Sequence, residues 1–124
     1  RFFFGEEDYE LSLRMEKCGV PMACVMRSVI YHKVGASKDK IEDTLNVGKD
    51  YSFYLGKLIG CRMHYPRVKF AFLLAMMFFK VTANFKRKGV RLGRSLELAS
   101  RLVRDAARKD AITGDDFHSY MSMK

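Results

Sequence analysis

The chain has 124 residues, 48% of them hydrophobic and 13% aromatic, which suits one domain with a modest core and argues against wholesale disorder. Its formal charge of +9 is unevenly placed: residues 51–96 contain no Asp or Glu but ten Lys and Arg. Such a one-signed block favours an anionic partner (lipid head groups, a phosphorylated ligand or nucleic acid), the plain alternative being a solvated basic face. Cys18, Cys24 and Cys61 show no CxxC spacing and sit in apolar surroundings, so neither a zinc site nor a disulfide framework is expected, and plain buried thiols in a reducing compartment fit. No run reaches the roughly 18 to 20 apolar residues that span a bilayer. The longest, 70–79, has ten residues bracketed by Lys69 and Lys80.

The chain opens on Arg1 and then Phe2-Phe3-Phe4, a strand-like start expected of a piece of something longer. Residues 5–17 are predicted as a helix, with Leu11, Met15 and Cys18 at helical spacing and Leu13 beside them. Glu6, Glu7 and Asp8 fall in its first turn, where the helix dipole favours negative charge. Gly19 supplies a left-handed stop, and Pro21 prevents continuation. Residues 22–26 and 29–34 are predicted as two short strands split by Arg27-Ser28, the second ending in Tyr31-His32-Lys33. Gly35-Ala36-Ser37 is a small-residue loop, with Ser37 a fair N-cap for the next helix.

From Lys38 onward the pattern is helical. Ile41, Leu45, Tyr51, Leu55, Leu58 and Ile59 form one apolar stripe, loosened by Gly48, Gly56 and Gly60. Pro66 suits the first turn of a second helix running to about residue 85, too rich in apolar side chains for one narrow face. A third pattern, Leu92, Leu96, Ala99, Val103 and Ala106, ends near Gly114, and 115–124 is expected to be a frayed polar tail. The division is therefore a β-containing head at 1–37, a basic helical body at 38–114, and the tail. Two strands make no stable sheet alone, so the head needs partner strands from other sequence or from another copy in a homo-oligomer.

The head carries the candidate chemistry. A carboxylate at a helix start that faces a cleft, as Glu7 or Asp8 would, is placed to accept a proton from an attacking hydroxyl. The plain alternative is that acids collect in first turns. His32, between a strand end and a small-residue loop, is a candidate metal ligand, though a lone histidine more often serves structure. No P-loop, GxGxxG, GxSxG or paired Cys/His pattern is present.

Taken together, FFFGEEDYELSLRMEKCGVPMACVMRSVIYHKVGAS resembles the C-terminal part of a family 2 inverting glycosyltransferase of the GT-A type, in which F-x-x-x-E-D-x-(D/E)-L-x-x-R precedes K-x-G, an apolar strand and H-x-x-G-x-S. The matching positions are Glu7, Asp8, Glu10, Leu11, Arg14, Lys17, Gly19, His32, Gly35 and Ser37, about the first third of the chain. The resemblance implies that Asp8 is the base that deprotonates the acceptor hydroxyl and that Glu7 helps orient the acceptor. It also implies that His32 completes the coordination of a divalent metal, Mn²⁺ or Mg²⁺, on the leaving diphosphate. The D-x-D-type acidic motif of that family has no match here, and the extra Glu6 leaves the register of the acid pair open by one residue.

The expected fold class is accordingly α/β but mostly helical: a helix, two short strands, then about three helices. The implied function is transfer of a sugar from a nucleotide-diphospho-sugar to a saccharide or lipid-linked acceptor in cell-surface polysaccharide synthesis, with this chain inactive alone. The expected location is the cytoplasm, with peripheral contact at the inner face of the cell membrane. The alternative is a non-catalytic basic helical module that binds anionic membrane or nucleic acid. Against nucleic acid, the aromatics of 70–79 form an apolar run rather than alternating with basic residues.

Overall fold

The computed structural model describes residues 7–29, 31 and 47–123. Five α-helices account for 74% of them, and no strand occurs among the described residues. In order these are α1 (Glu7–Lys17), α2 (Val47–His64), α3 (Arg67–Arg87), α4 (Leu92–Arg108) and α5 (Gly114–Met121).

Helix α2 is the central element and packs against α3, α4 and α5. It is buried almost all round, with Val47, Tyr51, Leu55, Leu58 and Ile59 between 0% and 1% exposed. Gly48 is not the loosening residue expected from its position. A Cβ built on it would lie 1.9 Å from the Tyr120 carbonyl oxygen and 2.9 Å from the Met121 Cα, so the bare glycine lets α5 seat directly on α2. Helix α4 follows an amphipathic pattern: Ser95, Leu98, Ala99, Leu102 and Ala106 are buried, while Arg94, Glu97, Arg101, Arg104 and Arg108 face solvent. Into the same core α3 contributes Met77, Val81 and Phe85.

Polar contacts close the ends of the body. The Arg62 guanidinium donates to the Ala107 carbonyl at 2.5 Å, to the Lys109 carbonyl at 2.7 Å and to the Asp110 carboxylate, satisfying carbonyls that α4 leaves unpaired at its C-terminus. The Tyr51 hydroxyl donates to Asp105 at 2.7 Å. Burial and that neighbouring carboxylate push the phenol far above its ordinary pKa. Lys88 pairs with Asp50 between α3 and α2.

Three expectations are corrected. The α/β class fails because residues 22–26, the first predicted strand, have no partner strand among the described residues. Met22, Val25 and Met26 are 54%, 70% and 88% exposed, and the backbone turns instead, with Ser28 N–H donating to the Val25 carbonyl at 3.0 Å. Most of the second predicted strand lies outside the described residues, as does Gly35-Ala36-Ser37. The frayed tail at 115–124 is largely helix α5. The Thr113 hydroxyl accepts from Asp116 N–H at 3.1 Å, the Asp116 carboxylate accepts from Thr113 N–H at 3.1 Å, and Tyr120 is buried against Tyr51 with ring centroids 4.9 Å apart. Finally, α3 is long and apolar enough by length and composition to cross a membrane, with a mean hydropathy of 1.5 over its best window. Lys69 and Lys80 interrupt the run of consecutive apolar residues without making the helix polar.

Candidate functional site

Helix α1 meets the body at the C-terminal end of α2, through Met63, His64 and the following Tyr65. Its start at Glu7 places Glu7 and Asp8 in the first turn, as the acidic cluster predicts. Its end is a left-handed glycine cap. Val20 N–H reaches the Met15 carbonyl at 2.9 Å, Gly19 N–H reaches the Glu16 carbonyl at 3.0 Å, and Gly19 adopts φ 67°. The K-x-G positions of the resemblance, Lys17 and Gly19, thus terminate the helix and turn the chain.

A polar seam holds α1 to the body. The Tyr9 and Tyr65 hydroxyls are 2.8 Å apart. Glu10 is only 7% exposed, and its Oε1 accepts from Arg14 at 2.5 Å and 3.2 Å. The His64 Nε2 lies 3.6 Å from the same oxygen, longer than a hydrogen bond. Both His64 ring nitrogens are buried without a hydrogen-bond partner. The Arg14 hydrogen bonds hold the Glu10 carboxyl below its ordinary pKa against the opposing cost of burial, and His64 adds to the effect. Of the motif positions, then, Glu10 and Arg14 form an intrahelical pair, and Glu10 also lies against His64 of α2.

Asp8 faces the other way and is exposed. It lines a cavity of about 600 Å³ together with Tyr9, Lys57, Cys61, Tyr65, Lys69 and Leu73. The Lys69 ammonium stands 3.8 Å above the Tyr65 ring. One carboxylate at a helix N-terminus therefore shares a concave space with two ammonium groups and two phenols. Chemically, this suits a ligand with hydroxyls to deprotonate and an anionic group to neutralise.

Exposed Asp8 lines an open depression and Glu7 precedes it in the first turn, while His32 lies outside the described residues. Among the described residues no three His, Cys, Asp or Glu side chains come together to hold a metal ion. No sequence motif marks the cavity's basic wall. Its only sequence signal is spacing, Lys57, Cys61 and Tyr65 recurring every four residues, followed by Lys69 and Leu73. Compared with known proteins, the chain matches no family model, no curated protein and no solved structure.

Proposed function

We propose that this chain is the acceptor-side part of an inverting glycosyltransferase, with Asp8 as the base that takes the proton from an acceptor sugar hydroxyl. The observation that carries the reading is the position of Asp8. The residue singled out by the resemblance lines a cavity of about 600 Å³, while Glu10 and Arg14 of the same motif pair with each other along α1. An alcohol is a weak nucleophile, so a carboxylate within reach of its proton supplies what the displacement needs. Glu7, one residue earlier, orients the acceptor in this scheme. Lys57 and Lys69 give the cavity the positive charge that suits a phosphate-bearing substrate.

The donor, a nucleotide-diphospho-sugar, would bind mainly to an α/β half outside this chain. The exposed apolar side chains of the head, from Leu11 at 54% to Tyr31 at 95%, offer a surface for such a half to cover. The resemblance also brings in a divalent metal, Mn²⁺ or Mg²⁺, with His32 as one ligand. No step is routed through it, because the carboxylate ligands it needs are not gathered among the described residues.

The test is release of nucleoside diphosphate from a panel of nucleotide-sugars by the full-length gene product, with saccharide and lipid-linked acceptors. Asp8→Asn should lower turnover by roughly 10²- to 10⁴-fold, the usual worth of a general base, and Glu7→Gln by less. Wild-type turnover in Asp8→Asn would remove the assignment, and a larger loss in Glu7→Gln would move the base to Glu7.

A further inference from the structure

Helix α3 has two apolar faces, and the body uses one of them. Met77, Val81 and Phe85 point into the core. On the opposite side Val68, Phe72, Met76 and Phe79 are 83%, 65%, 53% and 72% exposed. They recur at intervals of four, four and three residues, so they form one continuous strip along the helix. Exposed Ala71, Ala75 and Ala83 lie on the same side and keep it smooth.

The edge of this strip is basic. Lys69, Lys80 and Arg87 are exposed and, at 100° per residue, project together along one margin, with Lys86 at the C-terminal end. The helix contains no acidic residue. An apolar strip rimmed by cations matches the boundary between acyl chains and anionic head groups. A second copy is a poor occupant, because two such strips face to face would bring like charges together. Spanning the bilayer is also disfavoured. The far side of α3 packs on α2 and α4, so crossing would carry the Lys88–Asp50 pair and the Arg-rich face of α4 toward the hydrocarbon.

We propose that α3 lies in the plane of an anionic lipid surface, with Val68, Phe72, Met76 and Phe79 between the acyl chains and Lys69, Lys80 and Arg87 on head-group phosphates. The inference stands on this geometry and does not need the transferase reading. Where that reading holds, Lys69 belongs both to the strip's margin and to the cavity wall, which brings a lipid-linked acceptor to Asp8 at the surface.

Flotation of the chain with phosphatidylcholine vesicles, with and without phosphatidylglycerol, tests the proposal. Binding is expected to the anionic vesicles at low salt, and to fall about tenfold in high salt or on neutral vesicles. Phe72→Ser/Phe79→Ser should lower it about tenfold with helix content by circular dichroism unchanged. Lys80→Gln/Arg87→Gln should weaken binding to anionic vesicles alone, and alkaline carbonate should strip the wild type from them. No flotation at low salt, undiminished binding of the Phe double variant, or resistance to carbonate each overturns the proposal. So does a dimer in sedimentation that the Phe double variant dissolves without any vesicle binding. Because flotation reads no turnover, its failure leaves the Asp8 assignment standing, and the converse also holds.

Discussion

Helices α2 to α5 and the head from α1 to Tyr31 both carry many large apolar side chains, but outside the outer strip of α3 and the start of α4 the body encloses most of its own, whereas the head leaves its own open. In the body Tyr51, Leu55, Ile59, Val81, Phe85 and Leu102 are all 0% exposed. In the head Leu11, Val25, Met26, Val29 and Tyr31 are all more than half exposed, and the contacts to the body run through Tyr9, Glu10 and Lys17. Hydrophobic content alone therefore does not make a core. The body closes because four helices offer one another complementary faces, whereas the head is fastened by a few polar groups and leaves its apolar surface open.

Mutations should expose that contrast, the largest effects falling in the body. Phe85→Ala should cost about 4 kcal/mol in denaturant unfolding, since it empties a fully enclosed site. Gly48→Ala should cost about 3 kcal/mol, because the methyl meets α5 backbone rather than a movable side chain. Tyr51→Phe removes the hydroxyl that donates to Asp105 and should cost about 1.5 kcal/mol. Leu11→Ala and Met26→Ala in the head should each change stability by less than about 0.5 kcal/mol. A head substitution as costly as Phe85→Ala would erase the distinction.

Acid should loosen one helix of each region first, α1 in the head and α5 in the body. Folding lowers the pKa of Glu10, through Arg14, from an ordinary 4.5, and that of Asp116, through Lys109 and Thr113, from an ordinary 3.8. The folded chain thus binds these protons less tightly than the unfolded chain. The stabilisation is full above the ordinary values and is lost as pH falls through the lowered ones. Hydrogen exchange in α1 and α5 should quicken below about pH 4 before α2 and α4 respond.

The sequence made the helical body legible because its apolar spacing at Tyr51, Leu55, Leu58 and Ile59 and at Ala99 and Ala106 reflects real burial. It misled at 22–26, where β-prone residues suggest a strand whose existence depends on a neighbour that spacing cannot reveal. The polarity of the tail hid helix α5, whose start is set by the Thr113–Asp116 capping box rather than by any apolar spacing. At the site, the acidic cluster pointed to Glu7 and Asp8, but the cavity's basic wall comes from residues about fifty positions away that only tertiary packing assembles.

If the body carries the fold and the head the chemistry, one substitution should split the two. Asp8→Asn in the full-length gene product, measured for nucleotide-sugar turnover and thermal unfolding side by side, is predicted to lose about 10³-fold in rate with its melting temperature unchanged. A wild-type rate would contradict the account, and so would a loss of rate matched by a loss of stability.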